Sequence, residues 1–167
     1  SIFRSRNSKR GEKMVREDYK NAIIYQIYPK SFMDSNDDGI GDLRGIINKL
    51  DYLKTLGVNT LWLNPIFVSP QVDNGYDVSN YYAIDKKMGT IADFDQLVQA
   101  AHQRQLKVIL DLVLNHTSAQ HPWFQDAINN PKSIYRNYYL WAQGKSGQLP
   151  NNWASFFGGS VWEPDPC

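Results

Sequence analysis

The sequence predicts an α/β fold with a parallel sheet, and three observations carry that reading. Runs rich in β-branched and aromatic residues at 22–28, 59–67 and 107–114 are nearly continuous in apolar character, as strands of a parallel sheet covered on both faces are. Between them, at 43–56 and 90–101, apolar residues recur at helical spacing. Polar residues then gather after the second and third runs, in Asp73-Asn74-Gly75-Tyr76-Asp77 and in Asn115-His116. Strand, polar tip, helix, strand, polar tip is a βαβ unit with its chemistry on one edge.

Each element has its own justification. Ala22-Ile23-Ile24-Tyr25-Gln26-Ile27-Tyr28 reads as a buried first strand ended by Pro29. An acidic, glycine-punctuated loop follows at 34–41. Asp42 caps a helix that places Leu43, Ile46, Ile47, Leu50, Leu53 and Leu56 on one face, and Gly57 ends it in the left-handed conformation that side chains resist. The second strand, 59–67, is stopped by Pro65 and Pro70. Thr90 with Asp93 resembles a capping box in which Asp takes the place of Glu, opening a helix with Ile91, Phe94, Leu97, Val98 and Ala101 inward. The third strand runs over 107–114 and is apolar from Val108 to Leu114 except at Asp111. After His116 the alternation stops. Residues 117–167 are aromatic-rich and irregular, with one short helix expected at 122–128.

A chain of 167 residues is long enough for one ordinary domain with a sizeable core. With 18 basic and 17 acidic residues, nothing favours nucleic acid or an anionic membrane as a partner. No apolar run approaches the roughly 18 residues of a membrane-spanning helix. The single cysteine, Cys167, rules out a disulfide framework or thiolate metal site within the chain, and the chain is expected in the cytoplasm. Residues 1–13 carry Arg4, Arg6, Lys9, Arg10 and Lys13 without a following apolar segment. They read as a disordered leader, a cloning scar or sequence upstream of a start at Met14, and not as a targeting signal. The sequence sets no oligomeric state.

Four groups of residues are candidates for chemistry. Asp34, Asn36 and Asp38 stand at positions one, three and five of a loop with Gly39 at six, the Ile40 carbonyl at seven and Asp42 at nine. That is the oxygen spacing of an EF-hand calcium loop, although position twelve is Gly45 in place of the bidentate Glu and a strand precedes it. The plainer alternative is an acidic turn ahead of the Asp42 cap. Asp73 and Tyr76 suit a carboxylate for sugar hydroxyls and a ring for a pyranose face; an Asx turn with a packed tyrosine is the alternative. His116 directly follows a strand, where a core histidine is the usual reading. Asp111, expected to face the interior of the sheet, is too costly to bury without a cationic or hydrogen-bonding partner, and no arginine is near it in sequence. His102 and His121 are assigned to surface and loop without chemistry, and Arg44 and Arg104 are expected to be solvated. The aromatics after 117 are expected to form a small core more than a sugar platform.

Together these residues resemble the α-amylase family of glycoside hydrolases, in the branch of oligo-1,6-glucosidase, dextran glucosidase and related α-glucosidases. The resemblance rests on Ile24-Tyr25-Gln26-Ile27-Tyr28-Pro29-Lys30-Ser31-Phe32, on the 34–45 loop, on residues 73–81 and on Asp111-Leu112-Val113-Leu114-Asn115-His116. Asn151-Asn152-Trp153 and Gly159-Ser160-Val161-Trp162 add to it, so that it covers residues 19–166. It implies that residues 14–116 are the first three βα units of a TIM (β/α)8 barrel, with chemistry at the carboxyl ends of the strands. Residues 117–167 are then the start of an irregular subdomain inserted after the third barrel strand. It implies that Asp73, Tyr76 and His116 bind the nonreducing glucose of a small oligosaccharide, with Asp111 in support. It also implies that Asp34, Asn36, Asp38, Ile40 and Asp42 hold a structural Ca2+. The family's retaining mechanism uses an Asp nucleophile after the fourth barrel strand and a Glu acid/base after the fifth, and neither segment lies within these residues. The chain alone is therefore expected to be inactive and, with an open strand edge, prone to aggregate. Three rivals stay open: a sucrose or trehalose isomerase of the same family, a nonenzymatic barrel relative that binds a partner subunit, and a plain calcium-binding module.

Overall fold

The computed structural model describes residues 19–164; the leader at 1–13, Met14 and Cys167 lie outside them. A one-turn 3-10 helix, Tyr19–Asn21, leads into β1, Ile24–Ile27. Pro29, whose missing N–H costs nothing at a helix start, opens a single turn, α1, Pro29–Phe32, that the sequence did not announce. Then come α2, Leu43–Asn48, α3, Leu50–Thr55, β2, Thr60–Leu63, β3, Phe67–Val68, and β4, Asn80–Ile84. The long helix α4, Ile91–Gln103, β5, Lys107–Leu110, and α5, Pro122–Asn129, follow. Among the described residues no helix is long and apolar enough to cross a membrane.

The expected parallel sheet is present, in the order β1-β2-β5. Its register aligns Tyr25, Leu61 and Val108, then Gln26, Trp62 and Ile109, then Ile27, Leu63 and Leu110. Side chains alternate between faces along a strand, so Tyr25, Leu61, Val108, Ile27, Leu63 and Leu110 share one side, and Gln26, Trp62 and Ile109 the other. Ile27, Leu61 and Leu63 are buried, and with Tyr25, Val108 and Leu110 they pack on Leu43, Ile46, Leu50 and Leu53 of α2 and α3 and on Leu97 and Ala101 of α4. Burying each such leucine stabilises by about 1.5–3 kcal/mol. The other face carries Gln26, Trp62 and Ile109 and is open: Ile24 is 50% and Ile109 44% exposed.

Several boundaries differ from the sequence reading, each for a physical reason. The first and second strands end at Ile27 and Leu63, because the following Pro29 and Pro65 have no N–H for a ladder. The third strand ends at Leu110 and not Leu114. Asp111 N donates to Leu63 O at 3.1 Å, and beyond it β2 offers no further partner, leaving Leu112 and Leu114 exposed. The single helix expected over 43–56 is two, joined at Lys49 (φ −105°, ψ 4°), whose N–H reaches back three residues to Ile46 O at 3.0 Å. The tightened turn leaves Leu43, Ile46, Leu50 and Leu53 inward but carries Leu56 out, to 52% exposure. Gly57 does adopt the left-handed conformation, with φ +90°. Phe67, expected to end the second strand, instead pairs with β4 in the antiparallel β3–β4 ladder, which the sequence reading missed.

Two arginines expected to be solvated are paired. Arg104 bonds Asp51 through Nε at 2.6 Å and Nη2 at 3.2 Å, tying α4 to α3. Arg44 of α2 bonds Asp93 of α4 at 2.7 Å, its own side chain 71% exposed and that of Asp93 9%. The capping box at Thr90 is complete: Asp93 N donates to Thr90 Oγ1, and Thr90 N donates to Asp93 Oδ2 at 2.8 Å. The Thr90 hydroxyl first, and Arg44 next, hold the Asp93 carboxyl at about 2, against an ordinary value of 3.8. A carboxyl depressed on folding stabilises fully above its ordinary value and loses that contribution as pH falls through the folded one. Thermal melts of the protein should therefore show Asp93→Asn below wild type at pH 5 to 7, with the gap closing between about pH 4 and pH 2. A gap that does not change with pH would leave Asp93 without this role.

Candidate functional site

Polar residues on the open face meet at the carboxyl ends of β1, β2 and β5. Two positions beyond Trp62 and beyond Ile109, on the same face, stand Asn64 and Asp111. Trp62 Nε1 donates to Asp111 Oδ1 at 2.7 Å, and Tyr76 Oη donates to Asp111 Oδ2 at 2.8 Å. The phenol oxygen accepts from Asn64 Nδ2 at 3.0 Å, and Asn64 Oδ1 accepts from Gln26 Nε2 at 3.0 Å. Asp111 thus has the hydrogen-bonding partners its placement demands, supplied by an indole and a phenol. Neither ion pair among the described residues involves it.

Tyr76 reaches this network from a tight turn. Tyr76 N donates to Asp73 O at 2.9 Å, across Asn74 (φ +52°) and Gly75 (φ +98°). Asn74 Oδ1 accepts from Lys30 Nζ at 2.8 Å, pinning the turn to α1. Asp77 closes it from below. Burial pushes the Asp77 carboxyl up, but donation from Ser69 Oγ, Asp73 N and Val72 N more than offsets this and holds it below the usual range. The Asp73 carboxylate has no hydrogen-bond or ion-pair partner among the described residues. It is a half-buried charge with its acceptor oxygens unengaged.

His116 joins the same turn. Its Nε2 lies 2.9 Å from Tyr76 O, and its Nδ1 lies 3.1 Å from Asn115 Nδ2. A carbonyl only accepts and an amide nitrogen only donates, so Nε2 carries the proton and Nδ1 accepts. The ring is exposed, so His116 is no core histidine. Tyr81 of β4 clamps its backbone: Tyr81 Oη stands 2.6 Å from Val113 O and 2.9 Å from His116 O, offering one proton to two carbonyls. The structure therefore joins Tyr76, His116 and Asp111 directly and sets Asp73 in the Tyr76 turn. Gln26, Trp62, Asn64 and Tyr81 were missed as site residues. The legible signal was the only polar side chain in the first apolar run, Gln26, and the same-face spacing of Trp62 with Asn64.

The 34–42 loop closes on its own N–H groups. Asp34 accepts from Gly39 N at 2.7 Å, Asp37 N at 2.8 Å and Asn36 N at 3.0 Å, and the Gly39 bond leads in lowering its carboxyl. Asp38 Oδ1 accepts from Ile40 N at 2.8 Å. Asp42 caps α2 by accepting from Gly45 N at 2.6 Å, and its other oxygen accepts from Ser35 N and Ser35 Oγ. Among the described residues no three His, Cys, Asp or Glu side chains are gathered as a metal site. A side chain at Gly45 would run into the Met33 carbonyl, so position twelve of this loop has no room for Glu.

Of the aromatics after 117, expected to form a small core, those of 123–141 do cluster, but mostly half-buried, and Trp153, Phe156 and Phe157 are exposed. Trp123 stacks on Tyr135 at 5.7 Å and meets Tyr138 edge-on at 5.5 Å, while Phe124 packs on Tyr139 and Trp141. His121, assigned to a loop without a role, is buried between Tyr81 and Trp123 and caps α5 by accepting from Trp123 N at 3.1 Å; burial pushes its imidazole down. His102 is exposed as expected.

Parallel strands packed on helices behind, with polar side chains converging at their carboxyl ends, are the arrangement of part of an α/β domain such as a β/α barrel. The family model described as the alpha-amylase catalytic domain matches residues 26–166, and the chain belongs to the alpha-amylase family. It is 52% identical to an oligo-1,6-glucosidase of Bacillus cereus over 152 residues, 91% of this chain and 27% of that protein. It is 58% identical to a trehalose-6-phosphate hydrolase of Escherichia coli strain K12 over 144 residues, 86% of this chain and 26% of that protein. Among solved structures it superposes on an isomaltulose synthase from Klebsiella sp. LX3 with a TM-score of 0.86 and 56% identity, covering 88% of this chain and 26% of that one. A family GH13_31 enzyme gives a TM-score of 0.83 and 68% identity, covering 89% of this chain and 28% of that one. The chain spans about a quarter of the length of the curated relatives it matches.

Burial first, and the bond to Asp111 second, push the Tyr76 phenol up to about 12 from an ordinary 10.0. In Asp111→Asn, carbon-13 NMR of the tyrosine Cζ should show the Tyr76 titration moving down toward 10.0 without reaching it, because burial is left in place. A midpoint still at about 12 would mean that Asp111 does not hold the phenol.

Proposed function

We propose that the full-length protein is a retaining, exo-acting α-glucosidase of short α-glucosides, and that this chain supplies half of its glucose subsite. The observation that carries the reading is the joined set Tyr76, His116 and Asp111 beside the unengaged carboxylate of Asp73. Asp73 accepts from hydroxyls of the terminal glucose, the Tyr76 ring covers its apolar face, and His116 shares the proton on Nε2 between the Tyr76 carbonyl and a sugar oxygen. Asp111 supports catalysis by fixing the phenol. The three parallel strands are then the first of eight in a barrel, 14–116 is its N-terminal part and 117–167 begins the inserted subdomain. The nucleophile and acid/base come from the fourth and fifth barrel strands, so the 167-residue chain by itself should give no turnover. The lone cysteine is the compositional support for a cytoplasmic setting.

Likeness to an isomaltulose synthase at 56% identity favours a second reading, an isomerase acting on sucrose. One experiment separates the two. The full-length protein should release α-glucose first from p-nitrophenyl α-glucoside and from isomaltose, followed by NMR of the anomers. Conversion of sucrose into an isomer without net release of glucose would decide for the isomerase, and initial β-glucose would rule out retention. His116→Ala should cost roughly 2–4 kcal/mol in kcat/KM, as loss of a positioned donor does, with little change in melting temperature because the ring is exposed. A lower melting temperature with intact activity would make His116 a packing residue.

We also propose that the 34–42 loop takes one structural Ca2+. Its donor chemistry supports this: hard oxygens from Asp34, Asn36, Asp38 and Asp42 and the Ile40 carbonyl, around a turn at Gly39 with φ +87°. With no ligand at position twelve, affinity should fall in the weaker range, about 10⁻⁶ to 10⁻³ M. At a hundredfold excess over Kd the ion would stabilise by about 2.7 kcal/mol. Melting temperature should drop in EDTA, recover with calcium, and respond little to magnesium, which prefers octahedral geometry. Equal melting temperatures in EDTA and calcium would leave the loop an acidic turn.

A further inference from the structure

The hydrogen bonds of the strand-end network all run one way. Gln26 Nε2 donates to Asn64 Oδ1, Asn64 Nδ2 donates to Tyr76 Oη, and Tyr76 Oη donates to Asp111 Oδ2, each within 3.0 Å. A phenol has one proton. Because its oxygen already accepts from Asn64, that proton is left for Asp111 alone. Asn64 is itself only 8% exposed, and its amide is held from the other side by Gln26. Turned over, it would set Nδ2 against the Gln26 nitrogen and Oδ1 against the phenol, and Tyr76 would have two acceptors for one proton.

We propose that Asn64 is a positioning residue, which directs the Tyr76 proton to Asp111 and so fixes the ring at the strand ends. The effect on activity rests on the reading of Tyr76 as the ring that covers the bound glucose. The titratable groups around position 64 are Tyr76 and Asp111 in the network, Tyr28, which adds to the raising of Tyr76, His116 on the Tyr76 carbonyl, and Asp73 in the same turn.

Asn64→Asp preserves the shape and reverses the donor. In the full-length protein at neutral pH the new carboxylate only accepts, so two carboxylates compete for one phenolic proton. The expected loss in kcat/KM on p-nitrophenyl α-glucoside is on the order of 10- to 100-fold, the cost of a small misplacement, and falls mainly on kcat. As pH falls, the new carboxyl is protonated and donates where Nδ2 did. The ratio of variant to wild-type activity should therefore rise on acidification, which a packing role would not produce. In a Tyr76→Phe background the same substitution should cost nothing further. A ratio that stays flat with pH, or a full additional loss in Tyr76→Phe, overturns the proposal.

Carbon-13 NMR gives a readout without catalysis. Because truncation also relieves the burial that raises Tyr76, this readout uses Asn64→Leu, which removes the donor and keeps the site filled. The Tyr76 phenol should rise further, since the bond from Asn64 lowers it; an unchanged midpoint overturns the proposal. If the wild-type protein cleaves no α-glucoside while that midpoint rises, the glucosidase reading fails and the role of Asn64 stands. If Asn64→Asp does not fold, Asn64→Ala and Tyr76→Phe carry the kinetic test: losses that do not add support the proposal, and additive losses overturn it.

Discussion

One constraint governs this chain: a strand has two faces, and here they meet different surroundings. Behind, Ile27, Leu61 and Leu63 are sealed against α2, α3 and α4. In front, at the alternate positions, Gln26 and Trp62 and then Asn64 and Asp111 face an open side. A one-residue slip in any strand would exchange these sets, driving polar side chains into the apolar layer and apolar ones to the front. The buried layer thus sets the register, and the register delivers the polar groups to a common edge. Folding energy and site geometry have the same origin.

The edge would be of little use if the loops beyond it moved freely. Three ties prevent that. Lys30 holds Asn74, Asp77 gathers three donors beneath the turn, and Tyr81 grips the carbonyls on either side of Asn115. The hairpin β3–β4 is therefore more than a connection. It brings Tyr81 up to the end of the third parallel strand and, through the turn it carries, brings Tyr76 over Asp111. A site assembled from segments far apart in sequence is made rigid by the element that the sequence reading overlooked.

What was legible follows from the range of the forces involved. Helix starts and stops depend on neighbours within four residues, so the caps at Asp42 and Thr90 and the stop at Gly57 could be read directly. The parallel sheet was legible through its apolar runs. Pro29 marked the end of the first strand, whereas the end of the third could not be read, because it is set by where β2 runs out, at Leu110. Lys49 gave little warning of the break in the first helix, since the apolar spacing runs on unbroken from Ile46 and Ile47 to Leu50 and Leu53. Asp73, Tyr76 and His116 could be singled out by type and position, whereas Asn64 could not. Its importance lies in whom it touches, which its place in the second apolar run does not show. The pairing of Arg44 with Asp93 likewise spans two helices that only the fold brings together.

The contact between Gly45 and Met33 has a consequence for what the acidic loop can become. In a calcium sensor the last ligand arrives from the following helix, and its engagement swings that helix. Here that position is closed, because the backbone of Met33 fills the space a longer side chain would need. Leu43 and Ile46 on that helix are sealed in the core. No single substitution converts the loop into a switch without first prying α2 from the turn beneath it. Substitutions within the loop are left to change how firmly the start of α2 is held against the Met33 backbone.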